Sequence, residues 1–315
     1  LTVTEAVAGA RTWTGAAGTS WHEAGNWDPA AVPTGGDDVT VAASATPATL
    51  AVADLAAVRS LAVGAGASVA VTGEGPIQVG AGVDVPEGAS LDWAVPLLGV
   101  GGPFEKRGAG ELTVRGDQGA MMQNDWRLVG GRTVFTSGAA LGADTTSAAA
   151  LTLSNNTFRY TGEAAAVRRP VTLLGELPCM FDIVGDLTFR DFRMAFAQGD
   201  AGLVKTGEGT LTLQVPSGTT TLSVWKASPR KGNVDVTGVF APSAAGEVAN
   251  WDGAGQFSVL DGCVEIVGAG KAASTVKQEH QGSIGGSGWP SATAPELRLR
   301  DVTFVQGSSS GFHML

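Results

Sequence analysis

The sequence predicts an all-β chain, a right-handed parallel β-helix (a solenoid) closed at its N-terminal end by a tryptophan-rich cap. Three observations carry that expectation. Apolar and polar residues alternate in short bursts, glycines punctuate the bursts, and one glycine-turn motif occurs twice.

The alternation runs nearly the whole length of the chain. It is seen in Val39-Thr40-Val41, Ser60–Val63, Ser68–Val71, Glu111–Val114, Ala150–Leu153, Thr210–Leu213, Val234–Val236, Cys263–Val267 and Glu296–Leu299. Each burst sends apolar side chains to one face and small or polar ones to the other, as a half-buried strand requires. Bursts this short suit the sides of a coil better than the long strands of a sandwich. Glycine falls at their ends, at Gly64, Gly73, Gly80, Gly116, Gly130-Gly131, Gly162, Gly238, Gly262 and Gly268. A coil corner needs positive φ or close backbone approach, and glycine supplies both. Helical signals are weak, and at most one short helix is expected around Asp54–Val58.

Composition agrees. Of 315 residues, 46 are glycine, 43% are hydrophobic and only 16% are charged, which is too apolar for a disordered chain. The net charge of −10 excludes the basic face that nucleic-acid binding uses, so no nucleic-acid partner is expected. No apolar run is long enough to insert into a membrane as a helix.

The repeat decides the fold class. Phe104-Glu105-Lys106-Arg107-Gly108-Ala109-Gly110-Glu111-Leu112-Thr113-Val114 matches Leu203-Val204-Lys205-Thr206-Gly207-Glu208-Gly209-Thr210-Leu211-Thr212-Leu213. The shared pattern is a strand, a two-glycine turn and a second strand on the next side of the coil. A weaker repeat links Trp126–Val134 with Phe257–Ile266. Each is followed by a leucine-rich strand and a Thr-Phe pair, at Leu151–Phe158 and Leu297–Phe304. A coil length of roughly 20–25 residues is expected for such a fold.

The glycine-turn motif at Phe104–Val114 and Leu203–Leu213 resembles the autotransporter-associated β-strand repeat of bacterial passenger-type surface proteins. The opening segment is similar to the N-terminal element of such proteins, through Thr12–Gly15, Trp21, Asn26–Pro29 and Pro33–Val39. The resemblance implies a right-handed parallel β-helix, secreted or held at a bacterial cell surface. The expected organisation is an N-terminal cap and first coil at residues 1–45. A β-helix with loop insertions follows at 46–315 and continues beyond this piece.

An uncapped parallel sheet recruits other chains, so a cap is needed. Trp13, Trp21 and Trp27, with Val39 and Val41 nearby, are expected to cover the apolar end. The alternative is a platform that stacks sugar rings.

The residue types that carry chemistry give little. His22, His280 and His313 lie apart from any metal pair or nucleophile, and no metal site or cofactor is expected. Asp37-Asp38 lacks the alternating ligands of a calcium loop and reads as a turn. Asp182, Asp186, Arg190 and Arg193 could line a groove of a polysaccharide lyase or hydrolase, or could pair across strands on an exposed face. Cys179 and Cys263 either form a disulfide or sit buried as small side chains.

The expected function is therefore a non-catalytic, structural or adhesive scaffold module of a larger exported surface protein. A polysaccharide-degrading enzyme and a self-assembling fibre or sheath subunit are the alternatives. Surface glycans or copies of the chain are the candidate partners. Any contacts would lie on loops at Pro216–Gly218, Lys226–Gly232, Pro242–Asp252 and Gln278–Ala294, where Trp225, Trp251 and Trp289 are the candidate glycan contacts.

Overall fold

The computed structural model describes residues 9–190 apart from 46, 99–101, 119–123, 143–148 and 175–178; beyond 190 it describes chiefly the backbone of separate strands. The described chain is a parallel β-solenoid, as the alternation predicts, in two compact units, 1–143 and 144–315.

In the first unit the strands are β1 (Ala10–Trp13), β2 (Trp27–Asp28), β3 (Asp38–Val41), β4 (Ala48–Val52), β5 (Ala56–Val63), β6 (Ser68–Gly73) and β7 (Ile77–Asp84). They continue as β8 (Ser90–Trp93), β9 (Leu97–Leu98), β10 (Phe104–Arg107), β11 (Glu111–Val114), β12 (Trp126–Val129) and β13 (Arg132–Phe135). One parallel sheet stacks β1, β3, β5, β7, β10 and β12; a second stacks β4, β6, β8, β11 and β13. Register stacks buried side chains into ladders: Val39 on Leu61 on Val83 on Lys106 on Leu128 in the first sheet, and Val71 on Trp93 on Val114 on Phe135 in the second. Side-chain pairs that bond to each other from one coil to the next are 21, 22 or 23 positions apart. That falls within the roughly 20–25 residues per coil expected from the sequence.

The strand β5 occupies the place expected to hold the one short helix. Ala56, Val58, Leu61 and Val63 are buried along it, and the register slips between Val58 and Ser60. The slip leaves Gly80 and Ala81 opposite the single Arg59, a β-bulge of the kind that bends a strand pair. Alanine-rich sequence favours a helix locally, but here two parallel neighbours supply strand hydrogen bonds and an apolar ladder, and tertiary packing prevails.

The second unit opens with β14 (Leu151–Ser154), β15 (Thr157–Tyr160), β16 (Ala165–Arg168), β17 (Val171–Leu174), β18 (Cys179–Ile183), β19 (Leu187–Arg190), β20 (Met194–Phe196), β21 (Leu203–Thr206) and β22 (Leu211–Val215). Each coil here contributes one strand to each of three sides, with β14, β17 and β20 on the first, β15, β18 and β21 on the second, and β16, β19 and β22 on the third. Phe158, Phe181 and Phe189 pack inside, with centroids 5.3 and 6.1 Å from Phe158. The bursts at 234–236, 263–267 and 296–299 are parallel strands too. So are Ala227–Pro229, Ala249–Trp251 and Gly282–Ile284. Those three lie within segments expected to be loops; short apolar content hid them, and pairing with a neighbouring coil makes them strands.

Candidate functional site

The N-terminal end is built from the cap segment upward. Strand β2 pairs antiparallel with β1, so the free edge of the first sheet is covered by a two-residue strand turned against the run of the coils. The free edge of β4 is covered as well. Trp21 N donates to Ala51 O at 2.8 Å and Ala51 N to Thr19 O at 2.7 Å. One segment thus pairs with part of the free edge of each sheet, the kind of cover that parallel edges need if they are not to recruit other strands.

The tryptophans do the covering. Trp13, Trp21 and Trp27 are buried, and Trp27 meets each of the other two edge to face at a centroid distance of 4.9 Å. That arrangement suits the ring quadrupoles. It also removes the sugar-platform alternative at these three positions, because no ring face is left open. The fully buried Asn26 wires the turn: Oδ1 accepts from Ala17 N at 2.7 Å, and Nδ2 donates to Ser20 O at 2.9 Å. The Trp27 indole N–H donates to Trp21 O at 2.8 Å. His22 reaches the backbone of Asp54 at 3.3 Å.

The two aspartates at the end of the cap have structural partners. Asp37 accepts from Gly9 N, Thr34 N and Thr34 Oγ1 at 2.8–3.0 Å, with Arg11 3.8 Å away. Burial pushes its pKa up, but those bonds outweigh burial and hold the carboxyl below the usual range. The Asp38 carboxyl is lowered by its bond from Arg59, with Ser60 also donating to it.

The repeated glycine-turn motif forms a locked corner. Lys106 points inward, in phase with Phe104, and is fully buried. Its ammonium donates to Gly108 O at 2.6 Å, Gly110 O at 2.8 Å and Gly130 O at 2.9 Å. The first two acceptors belong to its own corner and the third to the next coil, so one side chain fastens two coils. Burial lowers the Lys106 pKa to about 8, against opposing pulls from Asp84 and Glu111. Gly108 has φ +85°, and a Cβ there would collide with Val85 O of the preceding coil. The second copy of the motif repeats this backbone: Gly207 has φ +79° and would collide with Ile183 O, and Gly209 N donates to Ile183 O as Gly110 N does to Val85 O.

Where β9 begins, a side chain takes the place of a strand. Gln118 is fully buried; Oε1 accepts from Leu97 N at 2.7 Å, and Nε2 donates to Val95 O at 2.9 Å and Arg115 O at 3.3 Å. The carboxamide thus completes both halves of a backbone ladder.

Among the described residues, the acidic and basic array at 182–193 is spread over two sides of the coil and the turn between them. Asp182 lies on β18 and pairs with Arg159 of the preceding coil at 2.6 Å, directly in register. Arg190 ends β19, on the next side of the coil, and Asp186 lies in the turn between, while Arg193 lies outside the described residues. Cross-strand pairing is the arrangement found for Asp182. The same device recurs between Asp92 and Arg115 at 2.7 Å and between Glu111 and Arg132 at 3.4 Å. Cys179 is free and buried, and burial raises its thiol pKa; the side chain of Cys263 lies outside the described residues. Trp225, Trp289 and His280 also lie outside them, as do the side chains of Trp251 and His313, which sit on strands Ala249–Trp251 and Phe312–Met314. Among the described residues no cluster of His, Cys, Asp and Glu is placed to hold a metal, and no helix is long and apolar enough to cross a membrane.

Sequence reasoning missed Lys106, Gln118 and Asn26 as organising residues. Lys106 did carry a signal, since it falls on the apolar phase of its strand in a motif that occurs twice. A family model described as a domain of unknown function (DUF8693) matches residues 12–97, the cap and the coils through β9. No curated protein and no solved structure matches the chain.

Proposed function

We propose that this chain is a structural or adhesive scaffold module of a larger bacterial surface protein, exported and non-catalytic. The observation that carries this reading is how the solenoid uses its buried polar chemistry. Asn26, Asp37, Lys106 and Gln118 all bond to backbone, closing an end, a turn or a corner. The charged residues on the outer faces add to it, since Asp92, Arg115, Arg159 and Asp182 bond from coil to coil. The buried bonds, more than these outer-face pairs, hold the ends and corners of a support. The resemblance of the glycine-turn motif to the autotransporter-associated repeat supplies the exported context.

Antibody labelling of intact cells of the source organism, with protease shaving, tests the placement. Labelling of intact cells that shaving removes is the expected result, and signal confined to lysed cells overturns it. Incubation with neutral and acidic polysaccharides tests the non-catalytic part; release of reducing or unsaturated ends would overturn it. Adhesion through glycans predicts array binding that is lost when Trp225, Trp251 and Trp289 are replaced by alanine.

A further inference from the structure

The corner between β14 and β15 carries a feature that the packing does not explain. Asn155 has φ +49° and is the one non-glycine residue with positive φ among the described residues; the other such positions are glycine. Glycine is the default there, and asparagine is tolerated chiefly because its short amide can bond locally. Here the amide does not. The Asn155 side chain is exposed, and among the described residues neither its carboxamide nor the Thr157 hydroxyl makes a hydrogen bond. Between them Asn156 is buried and its backbone O accepts from Met180 N at 3.2 Å, while Phe158 turns inward and leaves Thr157 on the outer face.

Asn155-Asn156-Thr157 is also the single Asn-x-Ser/Thr triplet in the sequence. That triplet is the acceptor pattern for N-linked glycan, in which the amide is the nucleophile and the hydroxyl two residues on is read by the transferase. We propose that Asn155 is an N-glycosylation site, modified by a sugar donor activated as a nucleotide or lipid phosphate ester. Asn155 Nδ2 forms a bond to the anomeric carbon as the bond from that carbon to the donor's phosphate oxygen breaks. The phosphate leaves with the electron pair, and the amide proton passes to a base of the transferase. A glycan at this corner projects away from both flanking strands and leaves the apolar ladder of Leu153 and Phe158 untouched.

This inference rests on the reading of the chain as an exported surface module. The test is intact-mass and fragment-ion analysis of the protein purified from its own organism, beside the variants Asn155→Gly and Thr157→Ala. Asn155→Gly keeps the left-handed backbone and so keeps the fold. A sugar mass increment assigned to Asn155 in the wild type, and lost completely in both variants with circular dichroism unchanged, is the expected result. An unmodified Asn155 peptide, or an increment that persists in either variant, overturns the proposal. If Asn155 is bare on a protein that is found at the cell surface, the glycan inference alone fails. Absence from the surface removes the export reading instead.

Discussion

At the scale of single residues, Lys106 shows how a charge can be placed inside a narrow apolar coil. Three carbonyls surround its ammonium, so its removal strands one buried acceptor, Gly110 O, and two part-buried ones. Lys106→Met is expected to lose about 2–4 kcal/mol in urea unfolding, because these unsatisfied carbonyls cost more than the methylene stem returns. The pH dependence has a definite sign. The folded-state pKa is about 8 against an ordinary value of 10.5, so between those values the unfolded chain holds a proton that the folded chain has released. Stability contributed by Lys106 therefore rises with pH across that window and falls again as pH returns through 8. Denaturation of wild type and Lys106→Met in parallel checks this; the gap between them should widen from pH 8 to pH 10.5, and a constant gap would contradict the buried, charged assignment.

At the scale of elements, the cap and the surrogate strand solve one problem, the unpaired edge. Trp21 is fully buried, and its backbone closes β4 while its ring packs on Trp27. Trp21→Ala is expected to cost about 3–5 kcal/mol, as large-to-small changes at packed aromatic positions do. It should also loosen the cover over β4, so sedimentation velocity should show more concentration-dependent association than the wild type does. Gln118 solves the same problem at β9. Glutamate in its place keeps the shape but, when ionised, loses the donor to Val95 O. Gln118→Glu is expected to lose about 2–4 kcal/mol near neutral pH. Burial would raise the new carboxyl's pKa, and a protonated carboxyl can donate, so the deficit should shrink as pH falls. Unfolding midpoints at pH 5 and pH 7.5 give the comparison.

At the scale of the whole molecule, each coil touches its neighbours and little else, and stability accumulates coil by coil. Residues 1–143 form a compact unit holding the cap, the tryptophan cluster and the Lys106 corner. A fragment of those residues is expected to fold alone, with β-type circular dichroism and blue-shifted tryptophan emission from its buried rings. An unfolded spectrum would show that the unit depends on the remaining coils. The outer-face ion pairs contribute little to this balance, since Asp92, Arg115, Glu111 and Arg132 are all substantially exposed and screened. Burial and backbone pairing carry the fold.

The amino-acid sequence determined the class of fold, the positions of most strands and the capping tryptophans. Each of these follows from local alternation or from a motif that recurs, and a side chain's inward or outward phase is fixed by its neighbours along the strand. Only the tertiary structure decided that the alanine-rich stretch 56–63 is a bent strand, that Asp182 pairs with Arg159, and that Lys106, Gln118 and Asn26 bond to backbone carbonyls and amides. Most of those contacts join residues about a coil apart, and register between coils sets which groups meet. A pattern with a period of two specifies the face of a strand; what lies above and below it is settled by stacking.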